Sequence, residues 1–379
     1  MLLLMGIVTL AFNISPAKAW TGTVYIRDDG SIQPQGAPIT TYDNVTYTLT
    51  DDITSSGSGI VVERDNIIID GAGYTVQGEG DGTGIELIER SNVRVKNIII
   101  KGFGYGIWLE GSSDNIIIEN TLEGNREHGI EIWWGSSGNS IIGNNITYNS
   151  FAGVNIGGDS GDNLFYHNNF IGNAKHVQAS DSENVWDNGY PCGGNYWSDY
   201  SGTDLHWGSG QTETGSDGIG DTTHQIDADN IDRYPLMGPF STFNAGTWDG
   251  TSFNVDVISN STVSGFQFNV DQKSVSFNVT GDEGTTGFCR VTIPNDLLWV
   301  DDGWTIIVGD QQITDYGIIS HGGFTYIYFT YNHSTKAVTI QGTHVIPEFQ
   351  PAIIMPLFMI LTMLAILFTK KKAARRQKT

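Results

Sequence analysis

The sequence predicts an all-β chain: a parallel β-helix followed by a β-sandwich. Three observations predict it. Rows opening at Gly59, Gly84, Gly106, Gly129, Gly153 and His176 follow one another at intervals of 25, 22, 23, 24 and 23 residues. Each row carries two short β-branched runs with polar residues and an asparagine between them, as in "GIELIERSNVRVK" and "GIEIWWGSSGNSIIG". Past residue 240 the repeat gives way to longer alternating runs such as "KSVSFNVTG" and "TYIYFTYN". A period of 20–25 residues with short strands is the signature of a solenoid, in which each coil buries its apolar side against its neighbours.

Taken in order, residues 1–19 read as a signal peptide, with an apolar run at 2–12 and a small-residue site at Ala17-Lys18-Ala19. Residues 20–58 supply the first strands and cap of the β-helix, and residues 59–200 its repeats. Equal positions of stacked coils form ladders. One would join Asn66, Asn92, Asn115, Asn139, Asn163 and Asn184; a second Asn97, Asn120, Asn144 and Asn168; a third Gly102, Asn125, Asn149 and Asn173. Asparagine tolerates the left-handed backbone of a sharp corner, and its amide can bond the copies above and below. Period-2 alternation sends Ile85, Leu87, Ile107, Leu109, Ile130 and Ile132 inward. It sends Glu86, Trp108, Glu131 and Asn155 outward, with Glu110 and Trp133 beside them. Indole rings stack on the C–H faces of sugars while carboxylates and amides bond the hydroxyls, so these six residues are the candidate carbohydrate-binding set. The competing reading covers the rings with a loop or the second domain. Trp134 is expected to face inward or to end the strand.

Residues 185–240 follow, with Trp186, Tyr190, Tyr196, Trp197 and Tyr200 suited to closing the open end of the core. Within them 201–240 is an acidic, glycine-rich cap. Asp217, Asp221, Asp227 and Asp229, with Asp232 beyond, offer oxygen ligands for Ca2+; a solvated acidic loop is the alternative. Residues 241–346 hold about seven alternating runs and read as the β-sandwich. Residues 347–350 form a linker. The apolar stretch 351–369 is long enough to cross a bilayer, and the basic tail 370–379 would stay in the cytoplasm. The bulk of the chain is therefore expected outside the cell membrane. Five sequons in that part, at Asn44, Asn145, Asn260, Asn278 and Asn332, are permitted glycan acceptors. Cys192 and Cys289 leave room for a single disulfide. A formal charge of −23 argues against any general attraction to nucleic acid.

The coils, followed by "GGNYWSDY", "SDGIGD" and "IDADNIDRYPLMGP", resemble the right-handed β-helix proteins of the NosD type, within a wider group of carbohydrate-binding and sugar-hydrolase repeats. The resemblance covers roughly residues 40–240. The sandwich and its tail look like archaeal cell-surface proteins, which implies an envelope location and, in some of these, a sorted anchor. The NosD name implies copper. Cu(I) prefers cysteine and methionine, and Met237 is the one methionine of the outward part, so no copper is expected. The resulting expectation is an anchored surface protein that binds a polysaccharide or envelope glycan. A polysaccharide lyase or glycoside hydrolase and a passive envelope spacer stand beside it; the sequence leans away from an enzyme, since Glu86 and Glu131, two coils apart, are roughly 10 Å from each other, slightly beyond the inverting range, and the outward stripe has no Lys or Arg to serve a lyase.

Overall fold

A computed structural model describes residues 20–346. The expected signal peptide (1–19), linker (347–350), membrane span (351–369) and basic tail (370–379) lie outside the described residues. Among the described residues no helix is long and apolar enough to cross a membrane. The chain divides into two compact units: one runs to Thr242 and takes in Ile258–Asn260, the other holds Phe243–Val257 and continues from Ser261.

The first unit is the parallel β-helix. Each coil contributes one short strand to each of three sheets, and these sheets have eight, eight and seven strands. Short β-branched runs suit this geometry, because their inward side chains interlock with the same residue type one coil above and below. Ile85, Ile107, Ile130 and Val154 pair in register on one wall, and Ile100, Leu122, Ile146 and Phe170 on another. All eight are fully buried. At about 1.5–3 kcal/mol for each such side chain, these stacks supply the bulk of the drive to coil.

The corners separate two tasks that the sequence reading had joined. The left-handed residue comes first: Asn92, Asp114 and Asp162 at one corner, Asn97, Glu119 and His167 at the next, all with φ of 54–59°. The residue after it points inward and forms the ladder. Asn120 and Asn144 are fully buried; the peptide N–H of Asn120 donates to Asn144 Oδ1 at 3.0 Å, and its side-chain amide donates to the same oxygen at 3.1 Å. Asn144 repeats this toward Asn168, and its amide also reaches the Ile117 carbonyl at 2.8 Å. Asn115, Asn139, Asn163 and Asn184 form the second such ladder, and Asn125, Asn149 and Asn173 the third. The early ladder assignments are therefore corrected by one residue. Asn66, Asn92, Asn97 and Gly102 are left-handed corner residues, and the inward ladder site in those coils is filled by Ile67, Val93, Ile98 and Phe103. A fourth corner carries a serine ladder, Ser112, Ser136 and Ser160, in which each peptide N–H donates to the next hydroxyl at 3.0–3.1 Å.

Trp134 lies at this fourth corner, directly after the strand His128–Trp133, at φ 57° and 68% exposed, with a second left-handed residue, Gly135, between it and Ser136. It ends the strand and does not face inward.

The far end of the core is closed by aromatic rings. Trp186 stacks on Phe165 with ring centres 4.2 Å apart, and Trp197 on Phe170 at 4.3 Å. The ladders pass into the acidic cap: Asn184 N–H donates to Asn230 Oδ1 at 3.0 Å, and Asn195 N–H to Asp232 Oδ2 at 2.8 Å. The indole N–H of Trp197 also reaches Asp232, at 2.9 Å.

In the second unit two five-stranded sheets, paired largely antiparallel, enclose one core that includes Val257, Phe277, Val291, Ile327 and Ile340. Cys192 lies in the first unit and Cys289 in the second, and neither is part of a disulfide.

Replacing Asn144 by leucine strands the Asn120 N–H and the Ile117 carbonyl in a dry core, while Asn168 Oδ1 keeps the peptide N–H of residue 144. At about 1–3 kcal/mol for each buried unpaired group, urea denaturation should show a loss of at least about 2 kcal/mol. Trp134→Gly should instead be neutral or stabilising by up to about 1 kcal/mol, because it relieves a left-handed φ at an exposed site.

Candidate functional site

Seven strands of one eight-stranded sheet run parallel: β1 (Val24–Ile26), β2 (Ile60–Val62), β3 (Thr83–Ile88), β4 (Tyr105–Glu110), β5 (His128–Trp133), β6 (Ala152–Ile156) and β7 (Val177–Ala179). Their register puts Tyr25, Val61, Glu86, Trp108, Glu131, Asn155 and Gln178 in one outward column. Ile88, Glu110 and Trp133 form a second. The sequence-predicted set thus falls on one face: Glu86, Trp108, Glu131 and Asn155 in line on successive coils, Glu110 and Trp133 beside them.

A third column, Thr83, Tyr105, His128 and Ala152, also belongs to this face, and sequence reasoning missed it. Strict alternation counted back from Glu131 would turn His128 inward. The chain breaks phase at Gly129. A Cβ there would stand 2.6 Å from the Gly153 carbonyl oxygen of the next coil, closer than real side chains approach. Glycine lets the coils pack, and His128 returns to the outer face beside Glu131. The signal was present one residue upstream of each row start, where the rows read Thr, Tyr, His, Ala.

The face is more enclosed than expected. Trp108 and Trp133, predicted to point to solvent, are half-buried, while Glu131 is only 7% exposed, Asn155 8% and His128 7%. The covers are local. Tyr105 meets Trp108 edge-on at 4.7 Å, Phe151 meets His128 edge-on at 5.3 Å, and the Trp133 ring lies across Gly157, where a Cβ would collide with it.

Glu131 is the electrostatic centre. Both its carboxyl oxygens accept from the Asn155 amide, at 3.0 and 3.1 Å, and His128 Nε2 lies 3.5 Å from Oε2. Burial pushes its pKa up to about 7, against the opposing pull of the Asn155 bond. Burial lowers the pKa of His128, with Glu127 pulling the other way. The pair is thus a neutral imidazole beside a carboxyl poised near neutrality. Burial, with Glu131 and Glu127, raises the Tyr105 hydroxyl. Trp108 Nε1 and His128 Nδ1 are buried and make no hydrogen bond. Glu86 is held from the side by the Ser58 hydroxyl. The arrangement offers aromatic faces for stacking, amide and carboxyl groups for hydroxyls, and one carboxyl able to give or take a proton near pH 7.

The aspartates considered for Ca2+ are engaged separately. Asp217 Oδ1 accepts from Ile219 N–H at 3.0 Å; Asp221 takes the N–H groups of Leu205 and His206. Asp227 binds the backbone and amide of Asn230, and Asp229 is exposed. Asp232 ends an asparagine ladder. Among the described residues no three His, Cys, Asp or Glu side chains form a group that could hold a metal ion. The five sequon asparagines, Asn44, Asn145, Asn260, Asn278 and Asn332, are all exposed.

The family model for "Periplasmic copper-binding protein (NosD)" matches residues 18–202. No curated protein matches the chain. Among solved structures it is similar to the periplasmic alginate epimerase AlgG, at 20% identity over 39% of this chain and 38% of the epimerase, with a TM-score of 0.22. The chain thus spans well under half of that enzyme. It is also similar to ORF18 of Geobacillus virus E2, at 14% identity over 71% of this chain and 63% of that one, TM-score 0.29. A third likeness is to tailspike protein 2 of an Escherichia coli O157:H7 bacteriophage, at 11% identity over 80% and 49%, TM-score 0.30. All three are distant. The copper in the family description finds a poor donor set here. Cys192 Sγ lies 3.6 Å from His167 Nε2, a single soft sulfur with a single imidazole, and with no group of three such donors among the described residues. These residues do not fit a resident copper centre.

Glu131 also sets a pH dependence of stability. Its folded pKa, about 7, lies above its ordinary value of 4.5. Between these values the folded state keeps a proton that the unfolded state has lost, so stability is fully present below about 4.5 and falls as pH rises toward 7. The loss is on the order of 3 kcal/mol. Asp204 and Asp232, also pushed up to about 7 by burial, act with the same sign. Glu131→Gln should therefore match the parent at pH 4 and exceed it at pH 8 in urea midpoint. An unchanged difference between the two pH values would contradict the buried carboxyl.

Proposed function

We propose that the outward columns of this sheet bind a glycan of low charge. The observation that carries the reading is the register itself: Trp108 and Trp133 alternate with Glu86, Glu110, Glu131 and Asn155 on successive coils of one rigid face. Sugars present apolar C–H faces and a rim of hydroxyls, which is the chemistry such a surface satisfies. An anionic polymer would meet the carboxylates of Glu86 and Glu110 and a chain of formal charge −23. A coiled stack repeats its binding groups along its axis, which suits a polymer better than a single sugar. The reading includes an envelope setting: the chain is held at the cell surface by the span expected at 351–369, its five exposed sequons carry glycans, and the bound polysaccharide belongs to the envelope or its surroundings.

The test is binding of the purified full-length chain to an array of soluble polysaccharides. Trp108→Ala combined with Trp133→Ala should weaken binding at least tenfold while leaving the near-ultraviolet circular dichroism otherwise folded. Trp134→Ala, two residues past Ile132 on the exposed corner, should change neither. Undiminished binding by the double variant would remove the site from this face.

A further inference from the structure

The second unit carries a cleft of about 510 Å³ that the β-helix face does not use. Its size falls within the roughly 300–1,000 Å³ of small-ligand sites. It forms where residues 295–304 lie against the edge strand Tyr316–His321 of one five-stranded sheet and its neighbour Phe324–Asn332. The local sequence, "PNDLLWVDDGW", explains the shape. Leu297 and Leu298 are fully buried and anchor the segment in the sandwich core. Trp299 follows on the other side of a two-stranded ribbon, Leu298–Trp299 with His344–Val345, and is half-buried. Its register partner is His344, whose ring lies nearly parallel to the indole at 5.2 Å. One face of the indole is thus covered, and the other is left for the cleft that Trp299 lines. Trp304 turns into the core and is only 5% exposed, so it lends the cleft a ring edge and no face.

The walls are tied in place. The Tyr316 hydroxyl donates to the Trp304 carbonyl at 3.1 Å, and the Asn295 N–H to the Gly323 carbonyl at 2.9 Å. On the ribbon side the Thr343 N–H reaches the Trp299 carbonyl at 3.0 Å and the Ile346 N–H the Leu297 carbonyl at 2.8 Å. A cleft already held open loses little freedom when it is filled. Its polar groups are equally defined. The Thr325 hydroxyl donates to Asn295 Oδ1 at 2.8 Å, so Asn295 offers the cleft its amide N–H groups. Ser320 adds an exposed hydroxyl and Asp296 an exposed carboxylate.

We propose that this cleft is a binding site for a neutral sugar unit, stacked on Trp299 and hydrogen-bonded by Asn295, Asp296 and Ser320. The C–H face of the sugar covers the open face of the indole. The Asn295 amide donates to a hydroxyl oxygen, the Asp296 carboxylate accepts from hydroxyl groups, and the Ser320 hydroxyl does either. The site binds and does no chemistry. It lies wholly in the second unit, and it stands or falls independently of the glycan reading of the β-helix face.

The chemistry of the walls selects this ligand class over its rivals. A quaternary ammonium or a lysine side chain is held by ring faces set around it as a cage, and here Trp299 alone presents a face. An acidic sugar would bring its charge against the Asp296 carboxylate. A purely apolar ligand would leave the amide of Asn295 and the carboxylate of Asp296 without partners in its shadow.

The experiment titrates the full-length chain with xylohexaose, mannohexaose, cellohexaose and maltohexaose, and follows tryptophan fluorescence and saturation-transfer NMR. Expected is saturable binding of at least one of the four, with the same affinity in a chain carrying Trp108→Ala and Trp133→Ala. Trp299→Ala should weaken that binding at least tenfold. Because Trp299 also packs on His344, a second variant leaves the indole in place: Ser320→Trp, at an exposed position, should fill the cleft and weaken binding as much with an unchanged melting temperature. Binding of none of the four overturns the proposal. So does binding that survives both Trp299→Ala and Ser320→Trp. Loss of binding in the Trp108 and Trp133 double variant alone would move the oligosaccharide to the β-helix face and overturn the cleft while leaving the other reading standing. Tetramethylammonium bound at Trp299 more tightly than any of the sugars would give the cleft to a cation and overturn it as well.

Discussion

The hydrogen bond from the peptide N–H of a corner asparagine to the side-chain oxygen of the asparagine one coil on is what the β-helix depends on. At each corner the chain turns through a left-handed residue, and the turn leaves an N–H pointing along the axis, where no strand partner exists. An unpaired N–H in a dry core is costly. Asn144 Oδ1 takes both N–H groups of Asn120, and its own amide serves Ile117 and Asn168. Every ladder residue is thus donor and acceptor to neighbours on both sides. Such a chain of bonds fixes register as well as stability, since slipping a coil by one residue would break three ladders at once.

Fixed register makes a face possible. The six residues singled out from the sequence carry no local motif; they become one surface because the coils superpose within a ladder bond's tolerance. This part was legible. The row intervals and alternation placed Glu86, Trp108, Glu131 and Asn155 in one column, because inward Ile and Leu leave no other direction for the residues between them. The ladders in the first coils were less legible. Asparagine serves both as a left-handed corner residue, at Asn92 and Asn97, and as an inward ladder residue, at Asn115 and Asn120. The letter is the same and the physics differs, so alignment by letter joins neighbouring positions. The structure shows Val93 and Ile98 in the early ladder sites, where an apolar core needs no internal acceptor.

The site was half legible for a different reason. Period-2 reasoning presumes an unbroken pleat, and Gly84, Gly106, Gly129 and Gly153 break it. At each, the next coil's carbonyl stands where a Cβ would be, within 2.3–2.7 Å. That close contact costs the strand its phase and brings Tyr105 and His128 outward. The enclosure of Glu131 was hidden for the same reason, since strict alternation carries its neighbours Tyr105 and His128 to the other side. Solvent exposure of an outward column is set by the columns beside it, which alternation alone does not describe.

The acidic cap shows what the same bonding requires at its end. A ladder needs a last acceptor, and an amide placed there must find partners for its own N–H groups, as Asn230 does in the Ser182 carbonyl and Asp227. Asn230 and Asp232 receive the final N–H groups, and Asp232 does so fully buried, as an acceptor for Asn195, Trp197 and Tyr234. Burial raises its pKa to about 7 while those three bonds pull it down. A carboxylate is the natural terminator because it accepts without having to donate. The run of aspartates that invites a metal reading from sequence thus has a structural use. Asp227 fixes Asn230, Asp232 closes a ladder, and Asp187 pairs with Arg233 at 2.7 Å to hold the segment between them. Carboxylates spent on ladder ends and turn N–H groups have their lone pairs committed to the fold, whereas Glu86, Glu110 and Glu131 lie in the outward columns of the sheet. Position relative to the ladder, more than residue type, divides the acidic residues that build this β-helix from those on its outer face.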